Sequence, residues 1–423
     1  MKVSLLKESV LNGAFDDVFE KIYSNVSAAR KRYADACDKF SAVFGTDRDA
    51  EFFSAPGRTE VGGNHTDHQN GCVLAGSVDL DVIAVASKNN SGVIRVKSEG
   101  YDMDTVKYDM LKPRQSEMSH STSLIRGMCA MAAGDGYSLG GFDAYTTSNV
   151  LKGSGLSSSA AFEVLIGVII NHMFNGGKID AVKIAKYAQM AEREFFGKPC
   201  GLMDQMASSV GGFTAIDFAD SANPIIEKVD FDFASSGHSL CIINTGGNHT
   251  DLTNDYAEIT VDCANIAKFF GKRFLREVDE KVFEENIEQL RAAVNDRAII
   301  RAMHFFADNK RAVLEKEALN ENRFSDFLDL VNSSGNSSYK YLQNVFSTSN
   351  TKEQGLSLAL AITEKYLKNR GACRVHGGGF AGTIQTFVPN DMLDGYIEVI
   401  EKAFGKGNCY VLKIRPLGGV KIS

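Results

Sequence analysis

Between residues 14 and 44, apolar side chains recur at helical spacing among Lys, Arg, Asp and Glu, which predicts two amphipathic helices covering a domain. The period then shortens. Apolar runs at 72–75 and 81–87 read as strands, and 92–98, reached through the turn Asn89-Asn-Ser-Gly92, completes a hairpin. A helix over 123–133 is broken by Gly134, Gly136, Gly140 and Gly141, and 142–148 reads as a strand. A strongly apolar helix opens at three consecutive serines, and another runs over 180–196. Residues 213–245 alternate as strands, and 255–345 are charged and helix-rich, the pattern of solvated outer helices. A glycine-rich turn after Arg374 enters a buried strand, 391–405 form a helix, and 410–414 the closing strand. This order gives an α+β chain rather than regular βαβ alternation.

Three stretches interrupt the pattern with chemistry. The first, residues 55–71, holds Arg58, Glu60, Asn64, His65, Asp67 and His68 between glycines. Glycine lets a backbone turn tightly and approach a ligand closely, and the polar set suits something hydroxylated or charged. An ordinary Gly/Asn/Asp loop joining two elements is the competing reading. The second, Lys152-Gly-Ser-Gly-Leu-Ser-Ser-Ser-Ala160, turns the chain on glycines and opens a helix on serines. Backbone donors at a helix N-terminus, with hydroxyls beside them, make an anion cradle. One serine would suffice to cap the helix, and three exceed that need. No lysine follows the glycines, so this is not a Walker A loop. The third is Asp204, alone among apolar neighbours in Cys200-Gly-Leu-Met-Asp-Gln205. Such an acid is either paired and used or caps a helix. Residues 246–251 repeat the six residues 62–67, with no wider similarity around them.

Composition narrows the class. A chain of 423 residues suggests two domains, and 44% hydrophobic with 23% charged residues is ordinary for a globular enzyme. A net charge of -7 without a basic run argues against a nucleic-acid partner. Eight scattered cysteines without a CxxC pair read as reduced thiols of a cytoplasmic protein. No apolar stretch reaches the roughly 18 residues of a membrane helix.

Taken in order, the motifs resemble the GHMP small-molecule kinases and, within them, the galactokinases. Gly57-Arg-Thr-Glu-Val-Gly-Gly-Asn-His-Thr-Asp-His68 is similar to the sugar motif GRxNxIGEHTDY, Lys152–Ala160 to the ATP loop, and Arg374-Val-His-Gly-Gly-Gly-Phe-Ala-Gly382 to the third, glycine-rich motif. The similarity runs from about residue 50 to the end. It implies two lobes, expected over 1–212 and 213–423, with ATP and sugar meeting in the cleft between them. It implies transfer of the ATP γ-phosphoryl to the anomeric hydroxyl of a sugar, by a cytoplasmic monomer with no membrane partner. By resemblance, Asp204 is the catalytic carboxylate and Arg58 faces the phosphoryl. Gly153, Ser154, Gly155, Leu156, Ser157, Ser158 and Ser159 form the ATP loop, and Ser158 with Glu192 holds Mg²⁺. Asp67 binds ring hydroxyls with help from the Gly201 N–H, Asn64 and His65 lie at carbon six, and Tyr256 contacts the sugar.

The chain departs from the motif at three places: Glu60 stands for its asparagine, Asn64 for its glutamate and His68 for its tyrosine. The family's glutamate accepts from the C6 hydroxyl. Asn64 still offers a carbonyl for D-galactose, yet as a neutral donor it would also suit a C6 carboxylate. Plant galacturonate kinases resemble the chain here, so galacturonate is the alternative substrate. A non-catalytic sugar sensor is a further alternative, against which the intact ATP loop and Asp204 speak.

Overall fold

The computed structural model describes residues 1–150, 155–246 and 253–423, with Thr253 given by its backbone alone. Lys152, Gly153 and Ser154 of the second motif, and all but Gly246 of the repeated loop, lie outside the described residues.

Three helices open the chain: α1 (Val3–Leu11), α2 (Asp16–Ile22) and α3 (Val26–Phe44). The last two are those the periodicity predicts, and α1 is an addition before them. Then follow β1 (Glu51–Gly62), β2 (Cys72–Lys88), β3 (Val93–Ser98), β4 (Met103–Lys107), α4 (Ser121–Gly134), β5 (Phe142–Ser148), α5 (Ser158–Asn175), α6 (Ala181–Met190) and α7 (Met203–Val210). Strands β6 (Phe213–Asp217), β7 (Ile225–Val229) and β8 (His238–Asn244) lead to a helical region, α8 (Thr253–Phe269), α9 (Glu280–Glu285), α10 (Ile287–Ala293), α11 (Asp296–Asn320) and α12 (Phe324–Ser337). The chain closes with α13 (Gly355–Leu367), β9 (Ala372–Val375), β10 (Thr383–Pro389), α14 (Leu393–Phe404), β11 (Cys409–Leu412) and β12 (Val420–Lys421).

The larger sheet runs β12-β1-β2-β5-β3-β4, with β6 on β2 and β7 on β6. The smaller runs β11-β8-β10-β9. Strands β6, β7 and β12 all follow residue 212 and all join the larger sheet. Parity along the strands separates the layers. Phe52, Ile83 and Val85 meet Phe19, Tyr33 and Phe40 of the opening helices. Their neighbours Phe53, Ala84 and Ala86 join Val164 and Val168 of α5 in the main core.

Two local expectations change. The runs 72–75 and 81–87 are one strand, because the first half of β2 pairs with β6 and the second with β5. The polar residues between them are accommodated: buried Asp81 is paired with Arg32 and Arg415 and accepts from the Tyr23 and Ser54 hydroxyls. That satisfies a charge that would be costly alone. The hairpin across Asn89–Gly92 does not form. β5 occupies that edge of β2, and β3 pairs with β4 and, in parallel, with β5. All eight cysteines are free thiols, and no described helix is long and apolar enough to cross a membrane.

Candidate active site

The polar stretch 55–71 is a strand before it is a loop. Its first half belongs to β1, where Arg58, Thr59 and Glu60 stay in regular register opposite Ser77, Gly76 and Ala75. The two-residue period puts Arg58 and Glu60 on one face and Thr59 on the other. There Thr59 accepts from Gln385 Nε2 (2.6 Å) and lies 3.1 Å from His376 Nε2. Gly63 ends the strand at φ +82, where a Cβ would lie 2.3 Å from the Cys72 carbonyl oxygen. Only glycine fits such a position. The turn it begins carries His65, Asp67 and His68.

A cavity of about 200 Å³ opens beside this turn. Its wall joins four parts of the sequence: Arg58 and Glu60 from β1; His65, Asp67 and His68 from the turn; Cys200, Gly201, Met203 and Asp204 at the start of α7; and Gly377 and Gly378 between β9 and β10. A larger cavity, about 540 Å³, lies between α12 and α13 and holds none of the residues expected to act.

Asp204 is the second residue of α7, not its cap. Its Oδ1 receives Arg58 Nε (2.7 Å) and Nη2 (2.6 Å), and its Oδ2 receives the Ser157 hydroxyl (2.5 Å). Burial pushes this carboxyl up, but Arg58, Ser157 and Lys198 outweigh it and hold it below its ordinary value. Arg58 also meets the Gly155 carbonyl, and its backbone N–H donates to the Leu156 carbonyl (3.1 Å). One arginine thus ties β1 to the loop before α5. The Leu156 side chain is buried in the core.

Ser157 precedes α5 at φ +54 and makes no side-chain cap. Its hydroxyl is committed to Asp204, so the helix-capping reading of the serines does not hold. Glu192 sits in a π-helical continuation of α6 over Ala191–Phe196, a geometry frequent at functional sites. It is buried and receives Lys198 Nζ (2.8 Å), Gln205 Nε2 (2.8 Å) and the Ser159 hydroxyl (3.3 Å). Of the two residues expected to share a metal, Ser158 begins α5 and Glu192 lies at that same helix end. No group of three or more His, Cys, Asp or Glu side chains is arranged to hold a metal among the described residues.

Residues 38–88 match the sequence model described as the galactokinase galactose-binding signature, and 123–212 match that of the GHMP kinases N terminal domain. Over these two segments the chain is similar to the GHMP kinases and, in the first, to the galactokinases. The galactokinase of Actinobacillus pleuropneumoniae serotype 5b (strain L20) is 28% identical over 372 residues, covering 88% of this chain and 93% of that relative. The galactokinase of Enterococcus faecalis (strain ATCC 700802 / V583) is 28% identical over 376 residues, covering 87% and 92%. The fold is shared with the Lactococcus lactis galactokinase solved in complex with galactose, at a TM-score of 0.76 and 22% identity over 91% of this chain and 98% of that one. It is also shared with the Methanococcus jannaschii mevalonate kinase, at a TM-score of 0.61 and 13% identity over 86% and 98%.

Two of the expected sugar contacts are not on the cavity wall. Asn64 is fully buried. Its Nδ2 donates to Glu60 Oε1 (2.8 Å) and the Gly377 carbonyl (2.8 Å), and its Oδ1 accepts from Ser338 (3.1 Å) and Asn344 (2.8 Å). All of its side-chain bonding capacity is used inside the protein. Tyr256 stands behind Gly378, donates to the Gly379 carbonyl (3.0 Å) and packs edge-on against Phe380. The wall position expected of Asn64 is taken by Glu60, whose Oε1 receives Arg374 Nη2 (2.8 Å). In the sequence Glu60 stands in the polar set of 55–71 and as a departure from the motif, with no role of its own. The alternation of β1 was the signal that could have placed it beside Arg58.

His65 and Asp67 do line the cavity. His65 Nε2 donates to the Gly378 carbonyl (2.9 Å), which leaves Nδ1 a buried acceptor without a partner among the described residues. Burial first, and then His68, lower this imidazole to about 4, so it is neutral at physiological pH. Asp67 Oδ2 lies 2.7 Å from where a Cβ on Gly201 would be.

Proposed function

We propose that this protein transfers the γ-phosphoryl of ATP to the anomeric hydroxyl of D-galactose, giving galactose 1-phosphate and ADP. The observation that carries this reading is the position of Asp204, held by Arg58 and Ser157 where the polar cavity meets the start of α5. Phosphoryl transfer asks a protein mainly for positioning and charge neutralisation. Asp204, kept ionised, accepts a hydrogen bond from the anomeric hydroxyl and takes its proton late, as that oxygen gains phosphorus. Arg58 neutralises charge on the phosphoryl group in flight. Gly155, Leu156, Ser157, Ser158 and Ser159 lead into the α5 N-terminus, whose uncapped N–H groups suit the triphosphate. Gly153 and Ser154 complete that loop in the proposal. Asp67, His65 and the Gly201 N–H hold ring hydroxyls.

The donors near α5 fit Mg²⁺, which takes one or two carboxylates and completes its octahedron with water and phosphate. Ser158 and Glu192 would hold it, and it would neutralise phosphate charge. The reading has the chain act as a cytoplasmic monomer on a small sugar and ATP. Its net charge of -7 supports the absence of a nucleic-acid partner.

ADP release measured over a panel of sugars tests the proposal. Turnover is expected with D-galactose. Binding of ATP and galactose without turnover would replace the enzyme by a sensor. Gly201→Ala places a methyl group 2.7 Å from Asp67 Oδ2, so its KM for galactose is expected to rise. A rise of about tenfold is the size of one weakened hydrogen bond to a charged group. Steady-state kinetics check it, and an unchanged KM would separate Asp67 from sugar binding.

A further inference from the structure

We infer that Glu60 makes this site select neutral hexoses over their uronic acids: its carboxylate accepts a hydrogen bond from a sugar hydroxyl and repels a carboxylate at carbon six. The inference deepens the sugar 1-kinase reading and rests on it.

Three observations converge on Glu60. Its side chain is only 8% exposed, and it lines the cavity. Both Arg374 Nη2 and Asn64 Nδ2 bond to Oε1, and no hydrogen bond ends on Oε2 among the described residues. One oxygen is therefore anchored, and the other remains free to accept. Glu60 also shares a strand face with Arg58 two residues away, a step of about 7 Å. That step compares with the reach of a pyranose from its anomeric oxygen to its far side. With Arg58 bound to Asp204 at the reacting end, Glu60 stands at the distal end.

The charges around the cavity give this position its selectivity. Its wall carries three carboxylates, Glu60, Asp67 and Asp204, against one guanidinium, Arg58, already committed to Asp204 and the Gly155 carbonyl. Arg374 is fully buried behind Glu60 and bonds the Val61 and Val375 carbonyls, so it cannot meet a ligand. His65 is neutral. Among the described residues of the wall, no permanent positive charge is free to receive a uronate, since Arg58 is committed and His65 and His68 are imidazoles, and like charges placed together disfavour binding. Galactose instead offers hydroxyl donors. The neutral Asn64, which alone would suit an acid sugar, is sealed inside the protein.

Glu60 also brings a pH signature. Burial pushes it up to about 7, against the opposing pull of Arg374, Asn64 and Arg58, with Asp67 adding to the rise. Buried Glu315 of α11 also faces this cluster. On acidification Glu60 takes a proton, loses its charge and becomes a donor, so discrimination against uronates should relax.

The test compares kcat/KM for galactose with galacturonate, and glucose with glucuronate, in wild type and Glu60→Gln at about pH 8 and about pH 6. At the higher pH, the wild type is expected to prefer neutral sugars by at least about 100-fold. Glu60→Gln should shrink that preference by about 10- to 100-fold and remove its pH dependence. Should the variant fail to fold, the wild type still decides, because galacturonamide should outperform galacturonate. Equal use of galactose and galacturonate by the wild type, an unchanged ratio in a folded Glu60→Gln, or equal use of acid and amide would each overturn the inference. Turnover of another neutral hexose but not galactose would end the galactose reading, while that hexose and its uronate still judge Glu60. No sugar turnover at all would end both.

Discussion

Asp204→Asn is expected to lower kcat by about 100- to 10,000-fold, the range for losing a positioned acid–base group. The fold should survive the change. The amide oxygen can keep both bonds from Arg58, and the amide nitrogen then faces the Ser157 hydroxyl, which can accept as readily as it donates. What disappears is the negative charge. In the wild type that charge is secured by Arg58 and Ser157, which hold the carboxyl below its ordinary value. A weak base of this kind serves by orienting the hydroxyl and collecting its proton late, which suits a loose phosphoryl-transfer transition state. Single-turnover phosphoryl transfer at saturating sugar isolates the step, and a thermal melt confirms folding. Near-normal turnover from a folded variant would remove Asp204 from the reaction.

The second large effect concerns stability. Arg374→Met is expected to cost about 3–5 kcal/mol, the penalty for removing one partner of a buried ion pair. Arg374 is fully buried and bonds Glu60 together with the Val61 and Val375 carbonyls. Its charge also lowers Asp308 and opposes the burial that raises Glu315, whose two carboxyl oxygens are buried without partners among the described residues. Without it, Glu60 loses its ion-pair partner and keeps only the Asn64 amide, between the cavity and those acids. Equilibrium unfolding in urea measures the loss. Pairing the change with Glu60→Gln should recover part of it, because a neutral amide needs no counter-ion. A loss below about 1 kcal/mol, the scale of an exposed salt bridge, would show that the pair carries little.

How far the sequence reaches can be judged from particular elements. The periodicity over 14–44 gave α2 and α3, and 142–148 is β5 residue for residue. Both signals are local, set by which side chains repeat on one face. The 81–98 hairpin failed because pairing is not local. A turn signal at Asn89–Gly92 is present, yet β5 competes for the same edge of β2 and wins it. The three motifs were legible as polar and glycine-rich breaks, and it took the fold to bring the first and third onto one cavity, with Ser157 of the second bonded to Asp204 on its wall.

By itself, the sequence determined the α+β class, the reduced thiols and the stretches that carry chemistry, since these depend on composition and on residues close in the chain. Only the tertiary structure decided which residues of the polar stretch face the cavity. β1 continues to Gly62, so strand parity turns Arg58 and Glu60 to one side. The turn at Gly63 then carries Asn64 inward onto Ser338 and Asn344, residues more than 270 positions away. Those distant partners consume its bonding capacity. The side chain at the cavity is therefore the carboxylate of Glu60 and not the amide of Asn64.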